Sequence, residues 1–289
     1  MKHAFADTAL GQLYYESEGK GEPLVCLHQT SWSSQEYANL IPLLSESFQV
    51  FAPDLLGYGL SEAAPPTWSR VEDWVASLVQ FLDAMGIKKA SLIGSHVGAK
   101  LALELAASQP RRVNRVVLYG CGIYAKNTGR KYDPKAPWSK QVQTTTLAER
   151  IALTRKLREA KAEVPITGLH FYEIWLSLLR EDPAADAETI QNAFLANVRT
   201  YDKRCTFNGG TLSDLEYNVE GRAPLVKCPS LLAIGDNDII AAPIYKPAES
   251  VAKVLPRCKV ARVKDAGSLG LSTTPAPLAK AILRFLEGS

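Results

Sequence analysis

Apolar runs of strand length alternate with amphipathic helical stretches along most of this chain, and that alternation most constrains its fold. Leu13 to Glu18 and Pro23 to His28 are apolar runs separated by Gly19-Lys20-Gly21, which reads as a hairpin-type break. Phe48 to Pro53 is a third run, ended by Pro53 and the turn residues Asp54, Gly57 and Gly59. Ser69 with Glu72 three residues on reads as a capping box, and Val71, Trp74, Val75, Leu78, Phe81 and Leu82 then fall on one helical face. Ala90 to Gly94 reads as a strand that turns abruptly into a helix over Val97 to Ser108, and Val113 to Tyr119 is the next buried strand. The order returns late in the chain: Ser230 to Ile234 as a strand, a helix after Pro243, Lys259 to Lys264 as a strand, and a last helix from about Pro275 to Glu287. Such alternation predicts an α/β fold, a mostly parallel twisted sheet with helices on both faces.

From about Gly122 to Pro224 the pattern is helical, with Thr144 to Ala162, Gly168 to Arg180 and Asp186 to Tyr201 the clearest segments. A helical block inside an α/β pattern reads as a cap inserted over the carboxyl ends of the strands, where open α/β sheets bind ligands. The expected organisation is a core domain of residues 1–121 and 225–289 with a helical cap at 122–224. A length of 289 residues is enough for one large core plus such an insertion.

Composition narrows the function classes. The net charge of +3, without a long Lys/Arg run, argues against a nucleic-acid partner. Cys26, Cys121, Cys205, Cys228 and Cys258 lack disulfide or metal spacing and read as free thiols in a reducing compartment. No basic-plus-apolar leader and no membrane-length apolar run is present, so a cytoplasmic protein without a membrane partner is expected. The four histidines are far apart, and there is no dinucleotide fingerprint or phosphate-binding loop, so no metal and no cofactor are expected.

Four motifs stand in order along the chain. They are Leu27-His28-Gln29-Thr30 after the second apolar run, Pro53-Asp54-Leu55-Leu56-Gly57-Tyr58-Gly59-Leu60-Ser61 after the third, Gly94-Ser95-His96-Val97-Gly98 at the strand-to-helix turn, and Gly235-Asp236-Asn237-Asp238 after a late strand. Together they resemble the α/β-hydrolase fold superfamily, over nearly the whole chain. The resemblance implies the α/β-hydrolase fold with a cap, a nucleophile elbow at Gly94–Gly98, an acid at Asp238, and oxyanion donors from the main chain of Thr30 and Val97. Asp236 is the weaker acid candidate, Asp54 reads as structural, and Ser95 is one residue off the tip of the elbow.

The chain departs from the family at two places. His96 holds the elbow position where the family has its nucleophile. In the late segment Lys264-Asp265-Ala266-Gly267-Ser268-Leu269-Gly270, Ser268 holds the place of the family's histidine. One exchange accounts for both: Ser268 as nucleophile, His96 as base, Asp238 as acid. A triad is defined by geometry and roles rather than chain order. The attacking oxygen then moves relative to the oxyanion donors, and a shift of about 1 Å costs roughly 100-fold in rate.

The leading expectation is therefore a hydrolase of an ester, lactone or related acyl small molecule, using the exchanged triad. The absence of an elbow aspartate argues against epoxide-hydrolase and haloalkane-dehalogenase chemistry. The alternatives are a cofactor-free lyase, cyclase or isomerase with His96 as general base, and a non-catalytic ligand-binding member of the fold. The expected substrate-binding set is His28, Gln29, Tyr124, Trp138, His170, Phe171 and Trp175, with His28 orienting the oxyanion loop. The aromatic content of the cap points to a hydrophobic or aromatic substrate.

Overall fold

A sheet of eight strands carries the fold in this computed structural model, which describes residues 1–30, 32–125, 147–149, 151–152, 155, 185–201, 213–238 and 245–288. The strands are β1 (Lys2–Thr8), β2 (Gly11–Glu18), β3 (Glu22–Leu27), β4 (Phe48–Pro53), β5 (Ala90–Ser95), β6 (Val113–Tyr119), β7 (Ser230–Asn237) and β8 (Cys258–Gly267), and their order across the sheet is β1-β2-β4-β3-β5-β6-β7-β8. β1 and β2 pair antiparallel, as do β2 and β4, and every pairing from β4 across to β8 is parallel.

Side chains alternate across this sheet and build two cores. Val25 and Leu27 of β3 join Val71, Trp74, Val75, Leu78 and Phe81 of α2 (Val71–Ala84) and the apolar face of α3 (Val97–Ser108). Leu24 and Cys26, one residue out of phase, face the opposite way, toward α1 (Ile41–Leu44) and the last helix, Pro275–Leu286. Each large apolar side chain so buried contributes about 1.5–3 kcal/mol. The one polar atom of the Trp74 ring is satisfied, since Nε1 donates to Leu56 O at 3.0 Å.

The structure corrects three expectations. Gly19-Lys20-Gly21 does not close a hairpin, because β4 lies between β2 and β3 in the sheet. Gly19 (φ +86°) passes so close to the start of β4 that a Cβ there would stand 2.2 Å from Phe48 O. An additional strand, β1, precedes the first expected one; its exposed outer edge and polar residues give it little apolar signal. The cap of α2 lies one residue late: Asp73, not Glu72, accepts the Arg70 and Ser69 amides at 2.9 and 3.0 Å.

Between residues 147 and 224 the described regular structure is helical, and includes α4 (Ala187–Tyr201) and α5 (Val219–Arg222). The expected helix over Gly168 to Arg180 lies outside the described residues. Ala193 of α4 packs with Trp32, from the loop after β3, and with Leu269, from the loop after β8. Beyond it follow α6 (Ser250–Val254), α7 (Gly270–Thr273) and α8 (Pro275–Leu286). No helix among the described residues is long and apolar enough to cross a membrane.

Candidate active site

The order in which strands are added to the sheet reverses around β3: β4 lies on one side of it and β5 on the other. Loops leaving the carboxyl ends of such neighbours diverge and open a crevice. The loop after β3 carries Gln29 and Thr30, and the turn after β5 carries His96.

His96 is held at φ +49° and ψ −107°, as the N-cap of α3. A non-glycine residue pays about 1–3 kcal/mol for such a backbone, so its surroundings must hold it there. They do so closely. Its N–H donates to Tyr119 O at 2.8 Å. A Cβ on Gly94 would lie 2.2 Å from Gly98 O, and one on Gly98 would lie 2.0 Å from Leu27 O. A Cβ on Gly120 would meet the His96 ring itself at 2.7 Å. The glycines of the elbow are therefore required by close approach, with histidine at its tip.

Two acidic or hydroxylic partners come to this point from the far end of the chain. Asp238 follows β7, and its buried carboxylate places Oδ2 3.7 Å from His96 Nε2. That distance is an ion-pair approach, longer than a hydrogen bond, and the buried Nε2 has no hydrogen-bond partner among the described residues. Ser268 follows β8 and donates from Oγ to Asp238 Oδ1 at 3.4 Å. The carboxylate thus stands between imidazole and hydroxyl. Tyr119 ties the two ends together, with its carbonyl on the elbow and its hydroxyl bonded to Gly267 O. Asp236, by contrast, is exposed and pairs with Arg262 at 3.2 Å.

A cavity of about 220 Å³ opens over His96. Gln29, Thr30 and Val97 line it, as do Gly120 and Gly122. Val97 is the first residue of α3, where main-chain N–H groups lack intrahelical acceptors. Lys100, Tyr124, Asp214 and Tyr245 complete the lining of the cavity. There the buried Lys100 Nζ donates to Asp214 Oδ1 at 2.6 Å, Tyr124 donates to Asp214 Oδ2 at 2.5 Å, and Tyr245 donates to Tyr124 at 3.0 Å. A larger open cleft of about 530 Å³ lies at the opposite ends of the strands, beside Pro23 and Gln49, and holds none of the expected site residues.

His28 is placed differently from the expected substrate contact. It is wholly buried, with Nδ1 2.7 Å from Gln29 O and Nε2 accepting from Leu55 N at 2.9 Å. Burial holds its ring below the usual histidine range, and therefore neutral. It clamps two loops and does not reach the cavity. Trp138, His170, Phe171 and Trp175 lie outside the described residues.

The sequence profile of the alpha/beta hydrolase fold matches residues 22–273. The chain belongs to the alpha/beta hydrolase family. It is 39% identical over 105 residues to 2-hydroxymuconate semialdehyde hydrolase of Pseudomonas sp. (strain CF600), a match covering 35% of this chain and 37% of that protein. It is 31% identical over 152 residues to 2-hydroxy-6-oxo-2,4-heptadienoate hydrolase of Pseudomonas putida, covering 50% and 55% of the two chains. The matches thus span about a third to a half of these curated relatives' length. The solved enol-lactonase from Burkholderia xenovorans LB400 superimposes with a TM-score of 0.73 at 19% identity, covering 98% of this chain and 100% of that one. At that identity the likeness is one of fold.

Within this alpha/beta hydrolase, two groups beside the elbow escaped the motif reading. Glu36 is fully buried in the 3-10 turn Ser34–Tyr37, where its Oε1 accepts from Ser95 Oγ at 2.7 Å and Gln29 Nε2 at 2.9 Å, and its Oε2 from Gln29 N at 2.8 Å. Burial pushes its carboxyl above the usual range, against the pull of those donors and of His96. Nothing in the short polar run Ser33-Ser34-Gln35-Glu36 marks the last residue as internal. Lys100 did leave a signal. With Glu104 it is one of two charges in the otherwise apolar α3, and both are buried and paired, Glu104 with Arg222.

Proposed function

We propose that this protein hydrolyses an ester, lactone or related acyl bond of a small molecule, with His96 as general base and Asp238 as the carboxylate that orients it. The observation that carries the reading is the approach of His96 Nε2 to Asp238 Oδ2, 3.7 Å apart, at a strained elbow whose tip lines a cavity. A proton on Nε2 faces Asp238, and Nδ1 then holds the lone pair that accepts a proton. The attacking oxygen gives its proton to Nδ1 and bonds to the acyl carbon. The carbonyl oxygen takes up the displaced electron pair against the main-chain N–H groups of Thr30 and Val97. Collapse of that intermediate breaks the bond to the leaving group, which takes the proton back from His96. Both curated relatives are named as hydrolases, in agreement with this reading.

In the exchanged triad the attacking oxygen is Ser268 Oγ, and water completes a second half-reaction through an acyl-enzyme. A second reading takes water as the direct nucleophile, with Ser268 holding the acid. The bond from Ser268 to Asp238 favours that second reading. A fluorophosphonate serine trap combined with Ser268→Ala separates them. Labelling at Ser268 and loss of turnover in the variant establish the exchanged triad, whereas unlabelled protein and a variant whose turnover is lowered but not lost leave water as nucleophile. Inactivity of the wild-type chain on esters and lactones, with ligand binding retained, would return the site to a lyase-type or non-catalytic role. The cap at 122–224 belongs to the same proposal: α4 rests on loops that flank the site, and the aromatic content of that segment favours a hydrophobic or aromatic part of the substrate.

A further inference from the structure

Glu36 is a carboxylate that the chemistry above does not use, yet it touches both halves of the site. Gln29, which it holds by main chain and side chain, is the neighbour of Thr30. Ser95, whose hydroxyl it accepts, is the neighbour of His96. Its own carbonyl accepts from Ser272 Oγ at 2.9 Å, in α7, four residues past Ser268. Burying an ion is costly, and its offset here is three donors converging on one carboxylate. An apolar side chain would fill the same space without that cost, but would tie nothing together.

We propose that Glu36 is a positioning residue of the active site, fixing the separation between the Gln29–Thr30 loop and the Ser95–His96 elbow through one buried carboxylate. That separation sets where an oxyanion donor stands relative to the base. It governs kcat rather than binding, because the alignment matters most in the transition state. The inference rests on the hydrolase reading for its activity readout alone.

The test uses Glu36→Gln in the full chain. One carboxylate oxygen becomes an N–H donor, which faces either the Gln29 main-chain N–H or the Ser95 hydroxyl and the Gln29 side chain, so one side of the tie must be remade. With p-nitrophenyl acetate as probe, kcat should fall about tenfold or more with KM within about twofold, as expected of a small misplacement. Amide exchange at Gln29 should quicken by about tenfold, since the bond from its N–H to Glu36 is weakened. Ser95→Ala cuts only the elbow side; it should lower kcat several-fold, and the double variant should be little worse than Glu36→Gln. A melting temperature that drops while kcat and loop exchange stay at wild-type values overturns the proposal, as do strictly additive effects in the double variant. If Glu36→Gln does not fold, Ser95→Ala decides, and unchanged kcat there overturns the proposal. If the wild-type chain does not cleave the probe, the hydrolase reading fails and loop exchange alone decides this one.

Discussion

His96 presents Nε2 to a carboxylate 3.7 Å away, and in the proposed mechanism that carboxylate closes on Nε2 and keeps the proton there. Replacing Asp238 by Asn keeps the shape and removes that control. The expected result is an unchanged fold by circular dichroism and a fall in kcat of roughly 100- to 10,000-fold, as for acids that orient a catalytic histidine. Near wild-type turnover would reduce Asp238 to a turn residue. At this scale the site was partly legible in the sequence. His96, Asp238 and Ser268 were each marked by their place in a motif, and the structure brings all three to one point. Their internal order was not legible, because a motif gives the anchor of a side chain and not its reach. Glu36 was invisible for a related reason: burial of a lone charge in a short polar turn depends on contacts from β5 and the β3 loop, remote in sequence.

Among the elements, the crossing of α3 over the end of β3 has the least freedom. Gly98 passes Leu27 O so closely that an added methyl would lie 2.0 Å from it, against backbone rather than a movable side chain. Gly98→Ala should therefore destabilise the protein by about 3 kcal/mol or more in urea unfolding, among the severe class of substitutions. Gly86 is the matched control. It has φ +67°, but a methyl added there would meet nothing within 4 Å, so Gly86→Ala should cost only the left-handed strain, about 1–2 kcal/mol. Equal losses at the two positions would show that the crossing is looser than described. Elements with clear periodicity, such as Val97–Ser108 and Val113–Tyr119, were legible to the residue. Pairing was not: β2 and β3 are neighbours in sequence but are parted by β4, and no local pattern in Gly19-Lys20-Gly21 distinguishes a hairpin from a crossover.

For the molecule as a whole, buried acids make stability depend on pH. Glu16 is buried on β2 and held above the usual carboxylate range, first by desolvation. A raised value means that the native state keeps a proton the unfolded chain has already lost. Its contribution is fully present below the unfolded value of about 4.3 and is lost as pH climbs through the raised folded value. Glu16→Gln cannot titrate, so it should lose less stability than the wild type between about pH 4 and pH 7, read from urea midpoints. Parallel curves for the two proteins would mean that Glu16 ionises freely in the fold.

Asp238 and Ser268 leave the last two strands of the sheet, whereas His96 leaves its centre, 142 and 172 positions earlier in the chain by the residue numbers. On the ribosome, the elbow and its helix are made while the carboxylate that faces them has yet to be synthesised. Contacts of such long range are slow to form, because the intervening chain must first be brought to order. If His96 works with Asp238 as proposed, the site is completed only when the strands made last have joined the sheet, and it opens again when those strands come away.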